Sequence, residues 1–149
     1  MIKWDTYLWD KEIVATDKEV SEIEKELNIK FPEDYLSVAK HNQGRTPEPC
    51  VFKVGEGSDV FNHLLHFKNT GSYATYSILA TTKVLSNFLP ENIIPIAETP
   101  GGNYICYKFC ADEQASIVHV NHELPIEHVD CITKVADNFS EFLNRLSDD

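Results

Sequence analysis

The sequence has few basic residues for its size. It contains 13 lysines and arginines against 24 aspartates and glutamates in 149 residues, which gives a net charge of −11 with histidine neutral. Nucleic-acid binders need a surface rich in lysine and arginine to neutralise phosphates, and anionic membranes attract the same kind of surface. The scarcity of cations therefore argues against both partners. Two interpretations stay open: the acidity attracts a basic partner, or it only keeps the protein soluble.

Long apolar runs and a secretion signal are also missing. No window approaches the 18 consecutive apolar residues that indicate a membrane-spanning helix. Residues 1–5 lack the charged region and the apolar stretch of a signal peptide. We therefore expect a cytoplasmic protein. The four cysteines, Cys50, Cys106, Cys110 and Cys131, lie in apolar or strand-like contexts, and the chain is too large to be a disulfide scaffold. We therefore expect reduced, mostly buried thiols, and the absence of C-x-x-C spacing argues against a redox or zinc motif.

Sequence signatures of catalysis are absent, and those of metal binding are weak. There is no G-x-S-x-G motif, and the Gly101-Gly102 pair is not followed by the Lys-Ser/Thr of a phosphate loop. H-x-x-H occurs at His63 and His66 and again at His119 and His122. In predicted strands this spacing places the pair on opposite faces, or one member in a turn. We expect no enzymatic activity, no cofactor and no metal; the alternative is an enzyme with a metal site on these histidines.

The first third of the sequence predicts two helices. Residues 16–19 (TDKE) have the form of a capping box, and an apolar stripe at helical spacing begins at Val20. Pro32 suits the first turn of a second helix, which we expect to end near Gly44 in a left-handed cap.

The rest of the sequence predicts strands and two further helices. Residues 51–54 and 59–67 are expected to form a hairpin with a four-residue turn, followed by a loop at 69–75 and a helix at 76–89. Pro95 lacks an N–H, so the strand at 93–97 is expected at an edge or a bulge.

Apolar side chains on both faces of residues 103–110 are typical of a central strand. We expect a turn at 111–115, an antiparallel return at 116–120 and a last helix from about residue 137. This order of elements predicts a single α+β domain over residues 1–149 with a mainly antiparallel sheet.

Three stretches have a recognisable order and spacing. The first is residues 22–35 (EIEKELNIKFPEDY), with Asn-Gln-Gly at 42–44; the second is residues 93–106 (IIPIAETPGGNYIC); the third is residues 139–143 (FSEFL). Together they resemble the SUKH superfamily, in its Smi/Knr-like branch, over about residues 16–146. The sequence departs from the family pattern where Phe31 replaces a leucine, Asn103 replaces the common aspartate, and Lys108 replaces a frequent acidic residue.

The resemblance implies an α+β fold in which helices pack on a curved, mainly antiparallel sheet. It also implies a role without catalysis, because bacterial members are commonly immunity proteins that neutralise a cognate polymorphic toxin, often a nuclease, by binding it. The net charge of −11 fits a basic toxin as partner. The alternative is a regulatory or scaffolding module, as in the family's eukaryotic relatives.

The candidate partner-binding residues are acidic positions in the predicted turns, together with two polar neighbours. They are Glu56, Asp59, Glu98, Asp112 and Glu113, joined by Tyr73 and Asn103. We expect electrostatic steering onto a basic cleft, followed by burial of a few aromatic anchors. For each residue the alternative is an ordinary solvated loop position.

Overall fold

The computed structural model describes residues 2–6, 13–68, 70–111 and 113–149, apart from the side chains of Ser72, Tyr73 and Glu113. The strands in these ranges are β1 (Lys3–Asp5), β2 (Thr46–Glu48), β3 (Val51–Val54), β4 (Gly57–Val60), β5 (His63–Leu64), β6 (Ile93–Glu98), β7 (Tyr104–Cys110), β8 (Glu113–Val120) and β9 (Ile132–Ala136). The α-helices are α1 (Asp17–Leu27), α2 (Glu33–Ala39), α3 (Ile78–Leu85) and α4 (Phe139–Asn144), and a 3₁₀-helix spans Gly71–Tyr76.

The main sheet has five antiparallel strands in the order β5-β6-β7-β8-β9, and β1–β2 and β3–β4 form separate two-stranded sheets. The middle strand, β7, sends Ile105 and Tyr107 into a larger core and Cys106 into a smaller one. A strand covered on both faces is the arrangement that the apolar pattern at 103–110 predicts. The α+β class and the central strand are therefore confirmed.

The larger core lies between one face of the main sheet and helices α1, α2 and α4. Tyr35 of α2 is fully buried in it, with its ring centroid 5.5 Å from that of Tyr107 on β7 and 5.3 Å from that of Phe139 on α4. Both contacts are edge-on, a geometry that adds about 0.5–1.5 kcal/mol to the burial of area. Tyr35 thus ties α2 to the central strand and to the last helix.

The smaller core covers part of the opposite face of the sheet. Leu85 of α3 and Leu89 just beyond it pack there with Val118 of β8. Leu124 and Ile126, from the connection between β8 and β9, pack against the same cluster. That connection is consequently anchored to the body of the protein through its apolar residues.

The predicted start of α1 is confirmed in its atomic detail. The backbone N–H of Thr16 donates to Oε1 of Glu19 at 2.9 Å, and the N–H of Glu19 donates to Oγ1 of Thr16 at 3.1 Å. Val20 and Ile23, the first two members of the predicted stripe, are buried.

The predicted end of α2 is wrong. The helix stops at Ala39, and the next turn is closed by Asn42, whose Nδ2 donates to the carbonyl of Val38 at 2.8 Å. Gly44 does take a left-handed conformation, with φ of 73°, but its N–H donates to the carbonyl of Leu64 at 2.9 Å. Its conformation therefore serves the contact with the sheet and does not cap the helix.

The hairpin at 51–67 is shorter and tighter than predicted. Val54 pairs with Gly57, so the turn holds two residues and not four. Gly55 makes this possible because it adopts a φ of 56°, which costs glycine little. The second predicted strand is also divided: β4 ends at Val60, and β5 pairs with β6 in the main sheet.

The last two helices begin later than predicted because polar side chains cap their N-termini. Part of the predicted loop at 69–75 is a 3₁₀-helix, and α3 begins at Ile78 because Oγ of Ser77 accepts the N–H of Ala80 at 3.1 Å. Similarly, α4 begins at Phe139, since Oδ1 of Asn138 accepts the N–H of Glu141 at 2.8 Å.

Strand pairing decides two further predictions, the bulge at Pro95 and the turn at 111–115. A register shift between Pro95 and Ala97 confirms the predicted bulge, and β5 pairs only with Ala97 and Glu98, beyond the proline. At the other end of the sheet, β8 begins at Glu113, which pairs with Cys110, so the predicted turn at 111–115 is too long.

None of the helices in the described part of the chain has both the length and the apolar content needed to cross a lipid bilayer.

Candidate functional site

Polar side chains gather at one end of the main sheet, where β6 and β8 end and β7 and β9 begin. The β3–β4 hairpin packs there, with the ring centroid of Phe52 lying 5.9 Å from that of His119. We call this region the acidic end. Its polar residues are Glu56, Asp59, Glu98, Asn103, His119, His122, Glu123, Glu127 and Asp130.

The centre of the acidic end is a contact between Asp59 on β4 and His119 on β8. Oδ2 of Asp59 lies 2.7 Å from Nε2 of His119, whose side chain is buried. The carboxylate can only accept, so Nε2 carries the proton in this tautomer. Nδ1 of the same ring is also buried and has no hydrogen-bond partner among the described residues.

Asn103 joins this pair to a second histidine. Its Nδ2 donates to Oδ2 of Asp59 at 3.4 Å, while its Oδ1 accepts the backbone N–H of His122 at 3.1 Å and lies 2.7 Å from Nδ1 of that ring. An amide both donates and accepts, whereas an aspartate would bring a second carboxylate against Asp59. This contact gives a physical reason for asparagine where the family commonly has aspartate.

Gly102 allows His122 to lie close to the turn before β7. The glycine has a φ of 88°, and a Cβ added to it would lie 3.2 Å from Cε1 of His122. Both the conformation and the space therefore favour glycine at this position.

Glu98, at the end of β6, is half-buried and lies close to a buried histidine. Its Oε2 is 3.8 Å from Nε2 of His63, the residue with which it pairs across the strands. Burial raises the pKa of the Glu98 carboxyl, and burial lowers the pKa of His63 to about 4. Both shifts favour the neutral forms of the two side chains.

The structure brings together four of the seven predicted site residues: Glu56, Asp59, Glu98 and Asn103. Asp59 was expected where the hairpin turn meets its second strand, and Glu98 in a turn. Both lie within strands and are partly buried, so the prediction for Glu98 was wrong. The tight turn at Gly55 lets β4 begin at Gly57, two residues before Asp59, and pairing with β5 and β7 extends β6 to Glu98.

Of the other three predicted residues, the structure places only the backbone of Glu113 away from this cluster. Glu113 begins β8 at the opposite end of the sheet, about 20 Å along the strand from Val120. Tyr73 lies in the 3₁₀-helix, and its side chain is outside the described part of the molecule. Asp112 lies outside the described residues. Glu113 therefore does not belong to the acidic end.

The connection between β8 and β9 also belongs to the acidic end, although none of the predicted site residues lies in it. Its residues 123–130 contain three exposed acidic side chains, those of Glu123, Glu127 and Asp130, and no lysine or arginine. Val129 among them is 84% exposed. The sequence signal for this part of the site is three acidic residues within positions 123–130 and no lysine or arginine among them.

This connection is fixed at its base by Cys131. The buried thiol donates to the carbonyls of Asn121 at 3.6 Å and Leu124 at 3.7 Å, and burial raises its pKa. Cys106 is also buried, whereas Cys50 and Cys110 are half-buried, and all four thiols are free.

A cavity of about 420 Å³ opens between the hairpin turn and the β8–β9 connection. It is lined by Val54, Gly55, Glu56, His119, Asn121, Asp130 and Thr133. The lining thus combines two exposed carboxylates with the buried side chain of His119.

Negative charge predominates at the acidic end, although the β3–β4 hairpin that packs there also carries the exposed Lys53. The three segments of the acidic end, residues 55–60, 98–104 and 119–131, contain six carboxylates and no lysine or arginine. Among the described residues, no group of three or more His, Cys, Asp or Glu side chains is arranged to hold a metal ion. The arrangement is therefore suited to attracting cationic groups of another molecule.

The chain matches the family described as SMI1 / KNR4 family (SUKH-1) over residues 14–145. No curated protein matches it. The matched residues run from the segment before α1 to the end of α4, and they include the whole acidic end. The chain belongs to the SMI1 / KNR4 family (SUKH-1).

Proposed function

We propose that this protein is an immunity protein, which binds a cognate toxin with a basic surface and neutralises it without catalysing a reaction. The observation that carries the proposal is the acidic end, where three segments contribute six carboxylates and no lysine or arginine. Membership of the SUKH-1 family supports it, because an immunity role is what the resemblance implies for bacterial members.

Electrostatic attraction would act before contact is made. A surface of one charge sign raises the rate of encounter with an oppositely charged protein and disfavours partners of the same sign. Toxins that cleave nucleic acids need a basic cleft for phosphates. A carboxylate-rich surface could occupy such a cleft in place of the nucleic acid.

Val129 offers an apolar anchor within the acidic end. It is 84% exposed and is flanked on its C-terminal side by Asp130. Apolar contacts near the centre of an interface commonly contribute most of its binding energy, while charged residues form the rim. Because Leu124, Ile126 and Cys131 hold the connection, little conformational entropy would be lost on binding.

The proposal is tested by binding to the toxin encoded by the gene next to its own. We expect a stoichiometric complex in titration calorimetry at low ionic strength. A double substitution, Glu123→Gln with Glu127→Gln, should weaken binding about 3- to 10-fold, because each exposed ion pair contributes up to about 1 kcal/mol.

The matched control is Glu22→Gln with Glu26→Gln, which removes the same amount of charge from exposed positions on α1. It should change the dissociation constant less than about 2-fold. Absence of a complex would refute the toxin assignment. Equal effects of the two double variants would refute the assignment of the interface to the acidic end.

A further inference from the structure

We propose that a cavity beside the beginning of β6, at the end of the main sheet opposite the acidic end, binds a small organic cation: an ammonium group carried by an apolar body. The inference goes beyond the proposed function, because the cavity shares no lining residue with the acidic end. Its volume is about 380 Å³, and small-molecule sites commonly have about 300–1,000 Å³. Three observations lead to it: the place of the cavity, its apolar floor, and the polar groups that line it.

The cavity lies where two helices end. Residues 26–28 at the end of α1 line it together with Leu85 and Ser86 at the end of α3. The last carbonyls of a helix have no partner within the helix, and its C-terminal end carries a partial negative charge. The last turns also hold Lys25 and Lys83, but neither lysine lines the cavity. Two helix ends of this kind favour a cation between them.

The floor of the cavity is apolar and is fixed by both cores. Leu85, Leu89 and Ile93 are buried in the smaller core, and Ile94 is buried in the larger one. All four residues line the cavity, as does Pro95. Because packing holds these side chains before a ligand arrives, binding would order little of the protein. Burial of an apolar body against them is favourable.

The polar side chains of the lining offer acceptors and few donors. The hydroxyl of Thr82 donates its only proton to the carbonyl of Ile78 at 2.7 Å, and that of Ser86 donates to the carbonyl of Lys83 at 2.8 Å. Both oxygens therefore keep only lone pairs for a ligand. Among the described side chains of the lining, only the amide of Asn28 can still donate.

Backbone donors are scarce in the lining as well. Pro90 and Pro95 have no N–H. The N–H of Leu89 donates to the carbonyl of Leu85 at 2.8 Å, and that of Ile93 donates to the carbonyl of Pro90 at 3.2 Å. A ligand that brings its own donors therefore fits this lining better than one that brings acceptors.

The charge of the lining makes the same distinction. Glu26 and Glu91 are exposed at the rim, and none of the described lining residues is a lysine or an arginine. A primary ammonium group carries three donors, no acceptor and a positive charge. It is thus complementary to the carboxylates and the helix ends, while its apolar body lies on the floor of the cavity.

The probe for the site is phenethylammonium, titrated into the full chain at pH 7 and followed by NMR. We expect saturable shifts of the backbone amides of Leu27, Asn28, Ser86, Glu91 and Ile94. Phenethyl alcohol keeps the apolar body without the charge, and methylammonium keeps the charge without the apolar body. Each should bind at least about 10-fold more weakly, because each lacks one of the two parts that the cavity complements.

The double variant Glu26→Gln with Glu91→Gln should weaken the binding of phenethylammonium about 3- to 10-fold, because it removes two exposed charges that attract the ammonium group. The matched control is Glu123→Gln with Glu127→Gln, which removes the same charge from the acidic end. It should change the affinity for phenethylammonium less than about 2-fold. Toxin binding should respond to the two variants in the reverse order, which separates this inference from the proposed function.

Blocked lysine, N-acetyl-lysine N-methylamide, distinguishes a free amine from a lysine side chain of another protein. Its amide groups would have to lie against the apolar floor, so it should bind more weakly than phenethylammonium. Tighter binding of blocked lysine would overturn the assignment to a small amine. Shifts that are absent or that spread over the whole surface would also overturn the proposal. So would equal binding of phenethylammonium and either analogue, or equal effects of the two double variants.

Discussion

Oδ2 of Asp59 lies 2.7 Å from Nε2 of His119, although the two residues are sixty positions apart in the sequence. This contact joins the β3–β4 hairpin to the end of β8 in the main sheet. The hairpin belongs to a separate two-stranded sheet, and side-chain contacts of this kind fix its place together with the backbone hydrogen bonds between Val51 and Ser147. The geometry of the acidic end therefore depends on a polar pair as well as on the apolar core.

Replacing Asp59 with alanine should destabilise the protein. The substitution leaves Nε2 of His119 buried without its acceptor, which costs about 1–3 kcal/mol. The free energy of unfolding, measured by urea denaturation at pH 7, should fall by this amount. Glu56→Ala, at an exposed position in the turn of the same hairpin, should change it by less than about 0.5 kcal/mol. Equal losses would contradict a specific role for the Asp59–His119 contact.

Asn103→Asp should be unfavourable at neutral pH. It replaces the amide that donates to Asp59 at 3.4 Å with a second carboxylate, and two carboxylates that share a site repel each other. We expect a loss of about 1–2 kcal/mol in the free energy of unfolding at pH 7. Because repulsion raises the folded-state pKa of the pair, the loss should shrink as the pH falls and one carboxylate is protonated.

The matched control is Asn121→Asp, since Oδ1 of Asn121 accepts the N–H of Glu123 and a carboxylate can accept in the same way. This variant adds the same charge at the same end of the sheet. A penalty for Asn103→Asp no larger than that of the control would show that the contact with Asp59 has no energetic consequence.

Gly102→Ala should reduce the melting temperature, and Gly101→Ala should not. The first substitution places a Cβ at a φ of 88° and 3.2 Å from Cε1 of His122, whereas the second meets nothing within 4 Å. A left-handed residue with a side chain costs about 1 kcal/mol or more. Thermal unfolding of the two variants side by side measures the difference. Equal melting temperatures would contradict the close approach of His122 to this turn.

Two buried histidines should make the protein less stable in mild acid. Burial lowers the pKa of His63 to about 4 and, with a weaker opposing effect of Glu19, that of His66 to about 4 as well. The unfolded chain binds protons near pH 6.5, where the folded protein does not. The two neutral histidines therefore contribute fully to the free energy of unfolding above about pH 6.5. This contribution is lost as the pH falls toward about 4.

Urea denaturation at a series of pH values should show this decline, together with NMR titration of the two rings. Glu98 acts in the opposite sense, because burial raises its pKa, and it offsets part of the loss. Neither ring should show an inflection in its Cε1 proton shift above about pH 5. An inflection near pH 6.5 for either residue would contradict its burial as a neutral imidazole.

The parts of the fold that depend on neighbouring residues could be predicted from the sequence. The capping box at Thr16 and Glu19 is local, and so is the pattern that places β7 at the centre of the sheet. In contrast, β9 (Ile132–Ala136) has no strong strand pattern, and it forms because it pairs with β8. The predicted hairpin turn was too long because a single left-handed glycine, Gly55, decides the length of the turn.

The candidate site was harder to predict for the same reason. Asp59, Asn103 and His119 come from three segments, and no spacing in the sequence connects them. The H-x-x-H pattern at His119 and His122 suggested a metal alternative; it gave no sign that one ring contacts Asp59 and the other Asn103. The net charge predicted a basic partner, but it did not indicate at which end of the sheet the six carboxylates lie.

The measurement that tests the central claim most directly is the association rate with the proposed toxin partner as a function of ionic strength. If the acidic end steers the encounter, the rate should fall at least 10-fold between about 20 mM and about 500 mM salt. The Glu123→Gln, Glu127→Gln variant should show a weaker dependence than the parent protein. A rate that does not change with salt, or the absence of any association, would contradict the account.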